Sequence, residues 1–453
     1  MENKAAINID EHKIVEKGLG EESLLPQEHR IMDKYSYLFT WLGGCVSIGT
    51  FMMGASLVPP AGKLNLLQAL LAMIIGNTVI AIALTINGQA GHKYGIPFIV
   101  QTRSSFGIKG ARIPGFIRAV PAVIWFGVQS WVGASALNNV AIRLTGYDNI
   151  IVFFIVFQII QISLSVLGFK GIKWVENIGS VCILASLIYM FYVMTTTFQN
   201  EIFDKIISIP GTWGIDFWGG TTAFLGIYTT MILNVSDYMR ELDKKVKPTL
   251  ATIIQWLAIV PATLFMGLIG LMAAGVTGEW DPIKVFTELM PNSFVLIVAL
   301  LFIALAQITT NVLNNGLPPA YVMMDVFGIT YKKAALCVGI LSFFTFPWKI
   351  ATEGVFILFV QIYSAFLGPI FSVMVVDYYF VRKKKLDLNL LYDNEGPFNG
   401  INWTAIIAIC VGAMVAMIEI QLSWYSSLIP AGLTYYLLMK YWAKSRNFLP
   451  DTK

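Results

Sequence analysis

Charged residues are scarce in this 453-residue sequence. Asp, Glu, Lys and Arg make up only 13% of it, apolar residues make up 56%, and the mean hydropathy is +0.68. A soluble domain carries roughly 25% charged residues, so this composition excludes an ordinary soluble protein and predicts that lipid is the main solvent. We expect no nucleic acid among its partners.

Cysteine and histidine are also rare, with four and three copies. No CxxC motif or Cys/His cluster occurs, which argues against a disulfide framework and a zinc site. The long apolar stretches of the sequence hold no histidine and almost no carboxylate. A proton relay or a charged substrate usually needs an ionisable group inside the membrane. These absences predict a neutral substrate and a coupling ion held by oxygen atoms. No nucleophile–base pair, metal cluster or phosphate-binding loop appears in the sequence either, so we expect no organic cofactor and no enzymatic activity.

Apolar runs of about 20 residues, the length that crosses a bilayer, recur along the sequence. They predict an all-α polytopic membrane protein with about twelve transmembrane helices. These lie near 36–60, 64–87, 114–142, 149–168, 173–195, 217–236, 249–276, 293–316, 334–351, 354–381, 403–422 and 424–443.

The Lys and Arg residues predict the orientation of these spans. With the N-terminus in the cytoplasm, 26 of the 31 fall on the cytoplasmic side, and Arg118 is counted there at the end of a loop. This asymmetry follows the positive-inside rule and predicts that both termini are cytoplasmic. The segment 87–113 is basic and glycine-rich, and is either a short amphipathic helix on the cytoplasmic face or a basic loop held by lipid headgroups.

Two spans contain glycine clusters that suggest broken helices. The first has Gly43, Gly44 and Gly49, and the sixth has Gly219, Gly220 and Gly226. Interrupted spans at corresponding places indicate an inverted-repeat transporter, in which the unwound backbone lines a ligand site. The alternative is close helix packing through small residues.

The remaining polarity in the spans is concentrated in two places. Trp125 and Gln129 lie one helical turn apart, so a flat ring could stack on the indole while the amide reads its edge. The alternative is an interfacial Trp with a Gln bonded to a neighbouring helix. The segment 306–316 (AQITTNVLNNG) carries six polar side chains, which indicate a cavity or an ion site, or else hydrogen bonds between helices.

At these residues the chain resembles the nucleobase:cation symporter-1 family, the permeases for cytosine, purines, uracil, allantoin and hydantoins. The resemblance runs from about Tyr35 to the last spans. Its pieces, in order, are NGQAGHKYGIPF (87–98), SSFGIKGARIP (104–114), WFGVQSWVGASALN (125–138), ILNVSDYMR (232–240), TTNVLNNGLPPAY (309–321) and VVDYYFVRKKKLDLNLLY (375–392).

The resemblance implies a LeuT-type fold of two inverted five-helix repeats plus two C-terminal helices. The implied division of the chain is a cytoplasmic tail (1–34), a ten-helix core (35–381) with repeats 35–195 and 217–381, a cytoplasmic loop (382–402), two further helices (403–443) and a cytoplasmic tail (444–453). It also implies substrate and sodium sites beside helices 1 and 6.

Position by position, the resemblance makes Trp125 the stacking tryptophan, Gln129 its amide partner and Asn315 the asparagine that reads the ring's edge. Tyr228 stands where the similar hydantoin transporter has a second tryptophan, and Ser47 stands where it has a glutamine. These two departures leave the preferred ring open. Further implied positions are Gly226 and Ile227 for the substrate, and Gly43, Val46, Ala306, Thr309 and Thr310 for Na⁺.

The sequence therefore predicts a monomeric plasma-membrane importer of a neutral nucleobase or related heterocycle, working by Na⁺ symport and alternating access. Purines, cytosine, uracil, allantoin and hydantoin stay open as substrates, and the WFGVQ and TTN patterns lean toward the allantoin, hydantoin and uracil branch. Proton coupling and an uncoupled facilitator or channel are the alternatives.

Overall fold

The computed structural model describes residues 24–45, 47–167, 185, 187–290, 292–442 and 447–448, with the backbone alone for Thr309 and Glu353. The described chain is built from helices joined by short turns, and a β-bridge pairs Met32 with Leu242. Of the predicted sodium ligands, Val46 and the side chain of Thr309 lie outside the described part. So do most of the fifth predicted span and of both predicted tails.

The helices of eight or more residues are labelled in chain order. They are α1 (Lys34–Cys45), α2 (Ile48–Ala55), α3 (Leu66–Tyr94), α4 (Phe98–Phe106), α5 (Arg112–Thr145), α6 (Ile150–Leu167), α7 (Leu187–Thr197), α8 (Ile215–Leu233), α9 (Pro248–Thr277), α10 (Pro282–Leu289), α11 (Ser293–Phe327), α12 (Tyr331–Phe343), α13 (Glu353–Val376), α14 (Trp403–Ala416) and α15 (Ser423–Tyr441). Each predicted span is represented in whole or in part.

Within the described residues, six helices are individually long and apolar enough to cross a membrane, and the pair α1–α2, bent by 50°, makes a seventh. α6 shows the lipid-facing pattern most clearly, because Ile151, Ile155 and Ile159 on it are all exposed. Exposed branched apolar side chains on a long helix need an apolar solvent. The prediction of an all-α polytopic membrane protein is confirmed.

The helices pack into two groups that meet around the predicted site. In the first helix group (α1, α2, α3, α8 and α9), α3 packs along α8 and α9, and α9 packs on α1 and α2. In the second helix group (α5, α6, α11 and α12), α5 packs along α11 and α6, and α6 packs on α12. Each group takes helices from both predicted repeats, while α13, α14 and α15 pack together beside them.

The N-terminal segment, the end of α3, α4 and the segment before α14 meet at one end of the helix bundle through hydrogen bonds, and we call this end the charged side. Here the Gln27 N–H donates to the Gly95 carbonyl, and the Tyr392 hydroxyl donates to the Leu24 carbonyl. α4 lies on this side with all nine of its residues buried, and its Arg103 forms a buried ion pair with Asp325. The segment 87–113 therefore does hold a short helix. It is packed inside protein rather than lying on the membrane surface.

The predicted break in the sixth span is wrong in position. α8 runs without interruption through Gly219, Gly220 and Gly226, and the chain leaves the helix at Asn234. A Cβ at Gly226 would lie 2.6 Å from the Val360 side chain. Here the glycines permit close helix packing, which is the alternative that glycine clusters always leave open.

The eighth predicted span also ends later than expected. The sequence places its end at residue 316, but α11 passes through a π-helical turn (Val312–Gly316) and continues to Phe327. Leu317 follows this turn, and Pro318 and Pro319 then lie in the first turn of the α-helical stretch Leu317–Phe327, which completes α11. Prolines are tolerated there because the missing N–H groups need no intrahelical partner.

Candidate substrate and ion site

A pocket lies between the two helix groups, next to the break between α1 and α2. It encloses about 370 Å³ of empty space, part of which is open to solvent. Six of the predicted substrate residues line it, together with four others. The lining residues are Gly44, Ser47, Trp125, Gln129, Ile227, Tyr228, Thr230, Met231, Asn314 and Asn315. None of them carries a formal charge at neutral pH, which suits an uncharged ligand.

The break that opens the pocket is fixed by local hydrogen bonds. The Ser47 N–H donates to the Cys45 carbonyl at 2.9 Å, instead of continuing the α-helical ladder to Gly43. Ser47 then caps α2, because its extended backbone (φ −118°) lets its hydroxyl accept from the Gly49 N–H. A serine N-cap is a common helix start. The predicted substrate residue Ser47 thus also shapes the break.

Trp125 is 4% exposed and its indole is held on several sides. The indole N–H donates to the Tyr363 hydroxyl at 3.4 Å, and that hydroxyl donates to the Gly226 carbonyl at 2.9 Å. A Cβ at Gly49 would lie 2.9 Å from the indole, so only glycine fits there without displacing the ring. Trp125 faces a protein pocket and not lipid. Gly226 does not line that pocket, but contributes this carbonyl behind it.

Gln129 and Asn315 meet in a chain of side-chain amides. Asn315 Nδ2 donates to Gln129 Oε1 at 3.2 Å and to Asn311 Oδ1 at 2.8 Å, while Asn311 Nδ2 donates to Gln161 Oε1 at 2.6 Å and to the Phe126 carbonyl at 2.8 Å.

The Phe126 carbonyl sets the direction of this chain because it can only accept. Asn311 must turn its NH₂ group toward Phe126, which leaves its oxygen for Asn315. Asn315 must then turn its own NH₂ group toward Asn311 and Gln129. Among the described residues, this chain leaves an acceptor, the Oδ1 atom of Asn315, and a donor, the Nε2 atom of Gln129, without a hydrogen-bond partner, and both residues line the pocket.

Tyr228 closes another wall of the pocket and is 1% exposed. Its hydroxyl lies 3.5 Å from the Cys45 carbonyl at the end of α1. Ile227 lines the pocket beside it. Tyr228 therefore joins α8 to the broken α1–α2 segment.

The predicted sodium ligands are described only in part. Thr310 is 2% exposed, and its hydroxyl donates to the Ala306 carbonyl at 2.8 Å, so two of the predicted ligand oxygens are adjacent. Gly43 lies in the last turn of α1, where carbonyls lack helical partners. These are hard neutral oxygens, the donor type that suits an alkali cation. The described residues contain no cluster of three His, Cys, Asp or Glu side chains for a transition metal.

Four lining residues and one buried charge are not among the residues predicted from the sequence. Nothing in the sequence indicates Met231 and Thr230, whereas Gly44 lies in a glycine cluster and Asn314 lies in the polar segment 306–316. Arg118, counted in the sequence with the cytoplasmic loop residues, is fully buried within α5. Its position only seven residues before Trp125 was the available clue.

A bundle of apolar helices around a central pocket, opened by a broken helix and lined by aromatic and amide groups, defines a membrane transporter of small molecules. Residues 24–443 match the family model described as permease for cytosine/purines, uracil, thiamine, allantoin. The chain belongs to this family, and the resemblance to the nucleobase:cation symporter-1 proteins is thereby confirmed.

Known proteins agree with this assignment. The chain is 28% identical to a hydantoin permease of Microbacterium maritypicum, over 92% of this chain and 87% of the relative. It is 27% identical to an allantoin permease of Bacillus subtilis, over 93% of each. Its structure is similar to that of Mhp1, a nucleobase-cation-symport-1 transporter in a closed conformation with bromovinylhydantoin bound (TM-score 0.85, 27% identity, 95% of this chain and 99% of that one). The chain is a LeuT-type permease and not an enzyme.

Proposed function

We propose that this permease imports a neutral, planar heterocycle through the pocket at the α1–α2 break, by symport with Na⁺ and alternating access. The observation that carries the proposal is the fixed pair of ligand groups, Asn315 Oδ1 and Gln129 Nε2, beside the Trp125 indole. A ring edge that places an N–H next to a C=O satisfies both groups at once.

Uracil, cytosine, the oxopurines, hydantoin and allantoin all contain an N–H beside a C=O, and the relatives named hydantoin permease and allantoin permease support this substrate class. A ring stacked on Trp125 would place its edge where the amides of Gln129 and Asn315 can form hydrogen bonds with it. Tyr228 in place of a second tryptophan and the short Ser47 leave polar room on the other face. We therefore propose a ureide or lactam ring with polar substituents, without choosing among the family's substrates.

For the coupling ion we propose Na⁺, held by the carbonyls of Gly43, Val46 and Ala306 and the hydroxyls of Thr309 and Thr310. The buried Thr310 hydroxyl beside the Ala306 carbonyl and the open last turn of α1 support this assignment. A bound Na⁺ would order α1 and α11. This ordering would link ion binding to the pocket, because Gly44 lines the pocket one residue from Gly43.

We further propose that the protein acts as a monomer in the cell membrane with its charged side in the cytoplasm. The positive-inside distribution of Lys and Arg supports this orientation. Both termini would then be cytoplasmic, and import would end with release of the substrate on the charged side.

Two experiments test the proposal. Thermal unfolding of the purified protein with Na⁺ is measured against uracil, cytosine, purines, allantoin and hydantoin, and at least one should raise the midpoint. Uptake of that compound into proteoliposomes is then measured with an inward Na⁺ gradient, an inward proton gradient, or neither. Accumulation driven by protons alone would refute the sodium assignment, and uptake that never exceeds equilibrium would indicate a facilitator.

A further inference from the structure

Arg118 is a fully buried cation within a membrane-crossing helix. Within the described part of the chain, no carboxylate lies within ion-pair distance of it. Its partners are instead neutral oxygens: Nε donates to the Thr230 carbonyl at 2.8 Å, and Nη2 donates to Asn234 Oδ1 at 2.8 Å and to the Asn314 carbonyl at 3.2 Å. An ionisable residue at this depth points to a function.

These bonds cross from the second helix group to the first. Arg118 and Asn314 belong to α5 and α11, whereas Thr230 and Asn234 belong to α8 and its end. α5 otherwise touches α8 at few positions. The guanidinium is thus one of the principal connections between the two groups near the pocket.

Arg118 also lies on the charged side of the pocket. Seven residues separate it from Trp125, which is about 10 Å along a helix, and α5 begins on the charged side at Arg112. Two of its partners, Thr230 and Asn314, line the pocket. The guanidinium and the chain segments that it joins therefore lie between the pocket and the charged side.

The other groups around Arg118 extend the same connection. Asn234 accepts from Arg118 and donates through Nδ2 to Asp237 Oδ2 at 3.2 Å. Asp237 in turn accepts from the Phe98 N–H at the start of α4, at 2.8 Å. The Asp237 carboxylate is therefore linked to Arg118 through a neutral amide, and the Tyr238 hydroxyl donates to Asn314 Oδ1 at 3.1 Å.

We propose that Arg118 is the positioning residue that holds the charged side of the pocket closed, and that its bonds to Thr230 and Asn234 break when the pocket opens toward that side. This inference rests on the alternating access of the proposed function. Neutral acceptors fit the role: separating a buried ion pair leaves an uncompensated charge and is strongly unfavourable. Charge-assisted bonds to carbonyl and amide oxygens hold the groups together yet can be replaced by water as the path hydrates.

The test measures how fast a cysteine at position 231 reacts. Met231 lines the pocket next to Thr230, and Met231→Cys is placed in a protein whose four native cysteines are replaced by alanine. A membrane-impermeant maleimide is added to right-side-out and to inside-out vesicles, without substrate or ion gradient. Arg118→Met removes the hydrogen-bond donors but keeps a long, unbranched side chain, and Arg118→Lys keeps the positive charge. Arg112→Met is the control, because Arg112 is an exposed arginine on the same helix.

Arg118→Met should raise the labelling rate about tenfold or more in the vesicles that expose the charged side, as expected for losing one or more charge-assisted hydrogen bonds. The rate from the opposite side should not rise. Arg118→Lys should give an intermediate rate, and it carries the test if the Met variant does not fold. Rates within about twofold of the parent, or a rise equal from both sides, would overturn the proposal.

The outcome does not depend on the substrate or the coupling ion. If uptake is driven by protons, or if no compound of the panel binds, the labelling result still decides the role of Arg118. Conversely, an unchanged labelling rate leaves the sodium and substrate assignments untouched. Each variant's thermal unfolding midpoint is measured alongside, so a destabilised fold is distinguished from an opened pocket.

Discussion

Substitution of Asn311 by alanine tests whether the amide chain orients the substrate-binding groups. Asn311 is fully buried and does not line the pocket, so it cannot contact the ligand. Its oxygen accepts from Asn315 Nδ2 at 2.8 Å, and this bond selects the orientation in which Asn315 Oδ1 is available to the ligand. Without Asn311, the Asn315 amide can flip and offer a donor, where the proposed ligand also has a donor.

The expected size of the effect follows from the number of bonds lost. One hydrogen bond between the ligand and Asn315 is worth about 1 kcal/mol, so affinity should fall about fivefold. The Phe126 carbonyl and Gln161 Oε1 each lose a donor as well, which should lower the free energy of unfolding by about 1–3 kcal/mol unless water enters. Weaker binding and a lower stability are thus expected together.

Binding is measured by titration calorimetry with the best compound of the panel, and stability by thermal unfolding without ligand. The matched control is Asn139→Ala, since Asn139 lies on the same helix as Trp125 and, among the described residues, its side chain bonds only the Ser135 carbonyl of its own turn. The reasoning is refuted if Asn311→Ala loses stability but binds the ligand as tightly as the parent. Equal losses of affinity in both variants would refute it as well.

Further predictions concern the stacking wall and the ion site. Gly49→Ala should displace the Trp125 indole, which its Cβ would approach to 2.9 Å, and weaken binding about tenfold in the same titration; Gly354→Ala, with nothing within 4 Å of its Cβ, should bind like the parent. Thr310→Ala should raise the Na⁺ concentration for half-maximal uptake severalfold or more. The control is Thr263→Ala, because the buried Thr263 hydroxyl also donates to the carbonyl four residues earlier in its own helix. This variant should leave the Na⁺ concentration for half-maximal uptake unchanged.

Much of the pocket was predictable because helical spacing is local. Trp125 and Gln129 are one turn apart on any α-helix, so the shared face required only that the span be helical. The polar run in α11 was ambiguous for the same reason: spacing does not say what surrounds a side chain. The structure divides that run, since Asn311 bonds other helices while Asn314 and Asn315 line the pocket.

The errors have a common physical cause, which is that neighbouring helices decide between two locally equivalent outcomes. Glycines weaken a helix and also let helices approach, and contact with Val360 makes Gly226 a packing residue. Arg118 was counted with the loops because charge near a span's end usually reaches water. Acceptors from α8 and α11 make its burial possible, and no property of the local sequence reveals them.

Asn314 and Asn315 connect these two parts of the site. Asn315 belongs to the amide chain beside the pocket, whereas the Asn314 carbonyl accepts from Arg118 and the Asn314 side chain accepts from Tyr238. Both lie in the π-helical turn of α11, and such turns are frequent at functional sites because their extra residue re-aims neighbouring side chains. A ligand that draws Asn315 toward its edge must therefore act on the same turn that holds the contacts on the charged side. Asn311→Ala should consequently raise the labelling rate at position 231 less than Arg118→Met does, because it loosens this turn while leaving the guanidinium and its acceptors in place.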